Sequence, residues 1–169
     1  MRLSWKLIDV FYDPAGILEG FGIMAGWTVI DYGCGPGRYL KKASALVGPE
    51  GKVYAVDIHD VAINCSRAIV EKNELHNVKV VKAREYFVPI PEDTADLIYV
   101  LDVFHMVKDA GQFLEELHRL VKPGGRLILE DGHQKRSVTT SRVLRSRRWK
   151  IIHETKKHVE LMPINKVVL

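Results

Sequence analysis

Three glycines follow the first strongly apolar run of this 169-residue chain, at a spacing of two residues. The run covers residues 27–32, and the glycines are Gly33, Gly35 and Gly37. Glycine permits a tight turn in which the backbone comes close to a ligand, and the start of a following helix presents free amides to a negatively charged group. The pattern predicts a binding site for an anionic small molecule.

A carboxylate stands at the end of the next apolar run. Asp57 closes residues 52–57, and a carboxylate there can accept hydrogen bonds from both hydroxyls of a ribose. An ordinary strand-to-helix loop is the alternative for the glycine-rich turn taken alone, and Asp57 disfavours it. Arg38 occupies the position where a dinucleotide-binding turn prefers a further glycine, which argues against NAD. The two features together predict a ligand that contains adenosine.

The elements that must position these residues alternate along the chain. Short apolar runs rich in β-branched residues predict five buried strands, at 27–32, 52–57, 78–82, 96–101 and 126–130. Apolar residues three and four apart predict helices at 38–47, 61–73 and 110–121. Residues 122–125, Lys-Pro-Gly-Gly, are predicted to form a turn between the last helix and its strand. Strict alternation predicts an α/β fold, a doubly wound, Rossmann-like and mostly parallel sheet with helices on both faces.

The C-terminal part departs from this alternation. Two strand-like runs at 149–155 and 158–162 are separated only by Lys156 and Lys157, a spacing typical of a hairpin, so one terminal strand should run antiparallel. The length suits a single domain over 1–169. We expect an N-terminal helical segment at 1–26, a cofactor-binding core at 27–131, and a basic helix with the terminal hairpin at 132–169.

Three segments resemble motifs of one enzyme family. Residues 29–37 resemble motif I of the class I S-adenosylmethionine-dependent methyltransferases, and Val56, Asp57 and Ile58 resemble the ribose-binding strand end of that family. Residues 120–127 are similar to its late motif, usually written LKPGG. Three motifs in order and at ordinary spacing are far more specific than one turn. The chain therefore resembles a small, lid-poor member of the family.

The resemblance implies roles for individual residues. Asp31 should hold the ammonium group of the methionine moiety, the turn backbone should line its carboxylate end, and Ile58 should pack on adenine, with core packing as its alternative. Arg84 stands where the family often has an acidic residue near the adenine amine, so either Glu85 or the backbone must supply the acceptor. The predicted cofactor-binding residues are Asp31, Gly33, Cys34, Gly35, Gly37, Asp57, Ile58, Arg84, Glu85 and Leu101.

His105 is the one catalytic candidate. It lies in the segment after the fourth strand that resembles the loop bordering the transferred methyl group. A histidine there can accept a proton near neutral pH, yet methyl transfer from a sulfonium needs chiefly in-line alignment, so packing is the alternative role. Cys34 could be reactive at a helix start, but a small filler is the favoured interpretation.

Metal-binding patterns are not recognisable in the sequence. Cys34 and Cys65 form neither a CxxC pair nor a Cys/His cluster, so we expect free thiols. His133, His153 and His158 have no regular metal spacing and are interpreted as surface or strand residues. No metal is predicted.

The positive charge is concentrated near the C-terminus. The formal net charge is +4, but residues 135–157 contain nine Lys and Arg residues against Glu154 alone. A solvated helix is the favoured interpretation, and RNA binding is the alternative. Because the segment lies beyond the fifth strand, we expect reversal of its charges to leave cofactor affinity unchanged. No apolar run suits a membrane helix and no signal-peptide pattern is present, so a cytoplasmic location is expected.

The resemblance implies transfer of a methyl group from S-adenosylmethionine to an unidentified acceptor, with S-adenosylhomocysteine as product. The connections at 102–108 and 131–135 are too short for a lid, so the acceptor site should be open. A large acceptor suits such a site, and so does a small one if a second subunit of a homo-oligomer completes it. The alternative function is a non-catalytic S-adenosylmethionine-binding module or a partner subunit of a methyltransferase complex.

Overall fold

A computed structural model describes residues 15–164 and 166 of the chain. The helices are α1 (Ala15–Glu19), α2 (Leu40–Val47), α3 (Asp60–Lys72), α4 (Ala110–Leu120) and α5 (Arg136–Ser146). The strands are β1 (Thr28–Tyr32), β2 (Lys52–Asp57), β3 (Val78–Lys82), β4 (Ala95–Val100), β5 (Val121–Glu130), β6 (Trp149–Glu154) and β7 (His158–Pro163). A single 3-10 turn, Phe104–Met106, lies between β4 and α4.

The strands form one seven-stranded sheet in the order β3-β2-β1-β4-β5-β7-β6. Neighbouring strands from β3 to β5 are parallel, whereas β7 is antiparallel to both β5 and β6. The predicted fold class and the antiparallel terminal hairpin are thereby confirmed. The chain winds outward from β1 in both directions, so the order reverses between β1 and β4. Ligands of open parallel sheets bind at the carboxyl ends of the strands beside such a reversal.

Two apolar cores cover the two faces of the sheet. Successive residues of β1 belong to different cores, Val29 to one and Ile30 to the other, as the two-residue period of a strand requires. The core around Val29 contains Leu40 of α2, and the core around Ile30 contains Phe113 of α4. The carboxyl end of β1 is therefore held rigidly from both sides.

The segment Lys122–Gly125 lies inside β5, so the prediction of a separate turn is wrong. Helix α4 ends as expected, but Val121 already pairs with Ala95, and the next pair joins Arg126 to Leu97. Four residues of β5 thus oppose the single residue Asp96, and the pairing of the two strands is interrupted by an irregular bulge. Pro123 within it has no N–H to donate, and Gly124 adopts a φ of +76°.

Smaller differences concern the ends of elements. Helix α2 begins at Leu40 rather than at 38, and α3 begins at Asp60 rather than at 61. Helix α5 is the basic helix expected in the C-terminal part, with Thr139 and Val143 buried. Of the N-terminal segment 1–26, residues 1–14 lie outside the described part. No helix among the described residues is long and apolar enough to cross a membrane.

Candidate cofactor site

The turn between β1 and α2 depends on glycine. Gly33, Gly35 and Gly37 adopt φ angles of +84°, +52° and +84°, in the region that side chains other than glycine disfavour. Gly33 also lies directly against Val103 of the β4–α4 connection, and a Cβ atom on Gly33 would overlap with the Val103 side chain. The tight turn predicted from the glycine spacing is therefore present, and it brings two loops into contact.

The amides of this turn already have acceptors within the protein. Gly33 and Cys34 both donate to the carbonyl oxygen of Val56, at 2.7 and 3.0 Å. The Gly35 amide donates to Oδ2 of Asp57 at 3.0 Å. These three donors are thus not free; the free amides predicted from the sequence belong to the start of the following helix. The three bonds fix the turn onto the end of β2.

Asp57 links the turn to the segment after β2. Its Oδ1 accepts a hydrogen bond from the amide of His59 at 2.9 Å, in addition to the bond from Gly35. Each carboxylate oxygen can accept a second hydrogen bond. Asp57 also lines the cavity beside the turn. Its position therefore suits a pair of ribose hydroxyls while the two amide bonds keep the carboxylate oriented.

A cavity of about 330 Å³ opens at the carboxyl ends of β1 and β2. Its volume is at the lower end of the range for small-molecule sites. Four predicted residues line it, namely Gly33, Asp57, Ile58 and Glu85. Two wider surface grooves, of about 830 and 840 Å³, lie along α5 and beside the α2–β2 turn, and neither includes Asp57 or the glycine-rich turn. The smaller cavity is therefore the candidate cofactor site.

Other residues that line the cavity were missed from the sequence. The missed lining residues are Tyr32, His59, Tyr86, Val103, Met106, Val107, Lys108 and Phe113. Several are apolar and look like ordinary core residues in the sequence. Tyr86 and the residues at 103–108 could have been found only from their position after the ends of β3 and β4, since these ends meet at one edge of the sheet.

Arg84 is not among the residues that line the cavity, in contrast to its predicted role at adenine. The backbones of Arg84 and Phe87 exchange two hydrogen bonds, at 2.9 and 3.0 Å. This pairing places Glu85, with a φ of +55°, and Tyr86 at the tip of the turn, where they line the cavity. Leu101 is buried in the core, likewise away from the cavity lining.

Asp31 is buried beneath the turn. Its Oδ2 atom has no hydrogen-bond partner of ordinary geometry among the described residues. The hydroxyl of Tyr99 on the neighbouring strand lies near this carboxyl and also makes no such bond. Burial raises the pKa of the Asp31 carboxyl to about 7; the nearby Tyr99 hydroxyl opposes the rise and the charge of Asp57 adds to it. A buried acceptor without a partner fits the ammonium group of a bound amino-acid moiety.

Cys34 packs inside the protein. Cys34 is 4% exposed, and its Sγ lies 3.4 Å from Oγ of Ser66. Burial, followed by the nearby Asp31 carboxyl, raises the pKa of the thiol to about 12. Because the thiolate is the reactive form, this environment favours the filler role over a reactive one.

An ion pair anchors the β3–β4 connection to α4. The Val88 amide donates to Oε1 of Glu116 at 2.8 Å. Arg119 donates to both oxygens of Glu116, and also to the carbonyls of Val88 and Ile90, each at 2.9 Å. The loop that carries Tyr86 into the cavity is therefore fixed by charged groups on α4.

Arg142 of the basic helix fixes the other loop of the cavity. Its guanidinium donates to the carbonyl of Phe104 at 2.8 Å and to that of Val107, and it lies 4.5 Å from the centre of the Phe104 ring. This residue is thus directed at the protein rather than at solvent. The contact connects residues far apart in sequence, so helical periodicity alone could not reveal it.

His105 does not line the cavity, although its neighbour Met106 does. Its side chain is 17% exposed, and Nδ1 is buried without a hydrogen-bond partner among the described residues. Asp102 and His133 lie beside it, so His133 is exposed at the surface, as the sequence predicted, and also belongs to a cluster. The predicted role of His105 as a base stays a prediction.

Solved structures with the same architecture define the class of protein. A SAM-dependent methyltransferase from Aquifex aeolicus is 29% identical and superposes with a TM-score of 0.76 over 92% of this chain and 90% of that chain. A TehB-like SAM-dependent methyltransferase from Corynebacterium glutamicum shares the fold, with a TM-score of 0.75 at 16% identity, over 94% of this chain and 93% of that chain. Residues 23–165 match the methyltransferase domain family, and the chain belongs to that family.

Two curated relatives are similar to the chain over part of their length. The ubiquinone/menaquinone biosynthesis C-methyltransferase UbiE of Marinomonas sp. is 35% identical over 123 residues, which are 72% of this chain and 49% of that protein. A demethylmenaquinone methyltransferase of Geobacillus stearothermophilus is 29% identical over 109 residues, 64% of this chain and 47% of that protein. The chain thus spans about half the length of these relatives.

S-adenosylmethionine is therefore the cofactor of this protein. The residues fit it: the Asp31 oxygen without a partner suits the ammonium group, Asp57 suits the ribose, and the half-exposed Ile58 offers an apolar surface for the adenine.

Proposed function

We propose that the chain transfers a methyl group from S-adenosylmethionine to a ring carbon of a hydroquinone-type acceptor. The observation that carries the methyltransferase part is the juxtaposition of two carboxylates at the glycine-rich turn, one buried without a partner at Asp31 and one lining the cavity at Asp57. The acceptor class is supported by the names of the curated relatives, which are quinone-pathway methyltransferases.

The chain's own residues have binding and positioning roles in this reaction. Asp57 orients the nucleoside end, and Asp31 in its ionised form holds the ammonium group. When bound, S-adenosylmethionine would supply an electrophilic methyl group on a positively charged sulfur. The sulfur would keep the electron pair of the broken bond, and the acceptor carbon would gain the methyl group and release its ring proton to solvent. Alignment of donor and acceptor accounts for much of the rate of such a transfer.

The apolar surroundings of the cavity support an aromatic acceptor. Val103, Met106 and Val107 follow β4 and line the cavity, and Met106 is 64% exposed at its mouth. A flat apolar ring can pack on such residues, whereas a strongly charged acceptor gains little from them. A cytoplasmic location, RNA as an acceptor and a homo-oligomer all stay predictions.

Incubation with methyl-labelled S-adenosylmethionine tests this function. The full chain is mixed with a short-chain demethylated naphthohydroquinone under reducing conditions, and mass spectrometry with NMR determines whether a carbon or an oxygen carries the label. We expect carbon methylation by the wild-type chain and strongly reduced transfer by Asp57→Ala. A second incubation replaces the quinol with a cell extract. Label in a component of the extract, with none in the quinol of the first incubation, would contradict the acceptor class. Cofactor binding with no transfer to any component would favour the non-catalytic module.

A further inference from the structure

We propose that Asp102, His105 and His133 form a binding site for a divalent transition-metal ion beside the cofactor cavity. The Oδ1 atom of Asp102 lies 3.8 Å from Nδ1 of His105 and 3.7 Å from Nε2 of His133. One possible ligand atom from each of the three residues lies within 4.8 Å of the other two, and this is the only such group among residues 15–164 and 166.

The topology of the sheet brings these residues together. Asp102 follows β4 and His105 lies in the 3-10 turn after it, whereas His133 follows β5. Because β4 and β5 are adjacent parallel strands, the loops at their carboxyl ends meet at the same edge of the sheet. Residues 28 or more positions apart in the chain thereby become neighbours, so a search for short metal-binding motifs does not find them.

The spacing leaves room for an ion. Distances of 3.7 and 3.8 Å are too long for hydrogen bonds, so direct bonds do not hold the three groups together. Donor atoms that share one metal ion at about 2.0–2.2 Å must lie a little closer than this. The side chains of Asp102 and His133 are 65% and 81% exposed, so both can move by the small distance required.

His105 has a second feature of a metal ligand. Its Nδ1 is buried and has no hydrogen-bond partner among the described residues. A Cβ atom on residue 132 would overlap with this nitrogen, and residue 132 is a glycine with a φ of +60°. The backbone therefore permits the ring to adopt a position in which Nδ1 faces the cluster and lacks a protein partner. Coordination would satisfy this nitrogen.

The donor set indicates the class of ion. Two imidazole nitrogens and one carboxylate suit Zn²⁺, Fe²⁺, Co²⁺ or Ni²⁺ better than Mg²⁺ or Ca²⁺, which prefer oxygen ligands. Three protein ligands leave coordination positions open. Val103 follows Asp102 in the chain and Met106 follows His105, and both line the candidate cofactor cavity.

Titration of the tag-free, chelator-treated full chain with Co²⁺ tests the site. Visible absorption reports coordination, and competition with Zn²⁺ reports affinity. We expect one ion per chain, and about a tenfold or greater loss of affinity in His133→Ala. His153→Ala is the matched control, because His153 is also exposed but lies on β6, outside the cluster. This control should bind Co²⁺ like the wild type.

Two results would overturn the proposal: the wild type shows no Co²⁺ absorption band, or His133→Ala binds the ion as well as the wild type does. Because His133 is exposed, the variant should fold, and thermal unfolding verifies this. Cofactor affinity, measured by calorimetry on the same samples, should be unchanged in His133→Ala. Metal binding without any methyl transfer to a quinol would leave the site standing and contradict only the proposed acceptor.

Discussion

The burial of Asp31 is unfavourable for stability when its carboxyl is charged. Its carboxyl has a pKa of about 7, against an ordinary value of 3.8, chiefly because burial disfavours the charged form. The folded state therefore holds this proton more tightly than the unfolded state does. A bound ammonium group would reverse the preference, since it favours the ionised carboxylate. The residue thus destabilises the ligand-free protein at neutral pH and becomes favourable when the site is filled.

The titration of Asp31 should make the free energy of unfolding depend on pH. As the pH rises from about 4 to about 7, the free energy of unfolding should lose up to about 4 kcal/mol through Asp31, and the loss should level off above pH 7. Asp31→Asn removes the titration, so this variant should match the wild type near pH 4 and exceed it at pH 8. Chemical denaturation at several pH values measures the difference. Parallel curves for the two proteins would contradict the assignment.

Asp57 should contribute directly to cofactor affinity. Asp57→Ala removes the acceptor proposed for the ribose and also the acceptor of the Gly35 amide, so binding should weaken by about 1–3 kcal/mol. Calorimetry with S-adenosylhomocysteine measures this change. Asp57→Asn keeps a side-chain oxygen and should show a smaller loss. Unchanged affinity in a folded Asp57→Ala variant would remove this residue from the site.

The β3–β4 loop depends on α4 for its position. Glu116→Ala removes the acceptor of the Val88 amide and the partner of Arg119, so we expect about 2–3 kcal/mol of destabilisation and weaker cofactor binding. Glu115→Ala is the matched control on the same helix, because it breaks only the exposed pair with Arg148 and should cost less than about 1 kcal/mol. Denaturant unfolding compares the two variants. Equal effects would contradict an anchoring role.

The loop after β4 depends in the same way on α5. Arg142→Ala leaves the carbonyls of Phe104 and Val107 without their donor, so cofactor affinity should fall by about 1 kcal/mol. Arg145→Ala is the control on the same helix. Among the described residues, the Arg145 side chain donates a hydrogen bond only to Ser141, so its loss should leave cofactor affinity unchanged. Calorimetry on both variants tests the difference. Weaker cofactor binding by Arg142→Ala would contradict the expectation that charges throughout the basic segment can be changed without effect on cofactor affinity.

The alternation of strands and helices was predictable because each element carries its own local period. The positions of Asp31 and Asp57 near strand ends were predictable for the same reason, and their binding roles stay predictions. The bulge opposite Asp96, the contact of Arg142 with Phe104, and the cluster of His105 with His133 depend on pairs distant in the chain. No local pattern records such pairs, so the sequence could not reveal them.

Folding reduces the positive charge that the basic segment presents. Arg136 forms ion pairs with Asp131 and Glu154, and Arg148 pairs with Glu115. Arg142 is directed at backbone carbonyls. The molecule thus offers a weaker cationic surface than the nine Lys and Arg residues against one Glu suggest.

RNA binding should therefore be weak. We expect measurable affinity only at low salt, with loss near physiological ionic strength, because few phosphates can be neutralised. A salt titration with single-stranded RNA tests this, and charge reversal at Arg145 and Arg147 provides the comparison without altering Arg142. Tight binding at about 150 mM salt that disappears in the reversed variant would instead favour a nucleic-acid acceptor.

The two outer strands of the sheet, β3 and β6, affect how the molecule behaves when it is concentrated. An open strand edge can recruit a strand from another molecule and start aggregation. Lys79 and Lys82 are exposed on β3, and Lys150 is exposed on β6. The pairing of β6 is also irregular between Ile151 and His153. Charge at both margins and a break in one of them oppose the addition of further strands, so the sheet resists growth into fibrous assemblies.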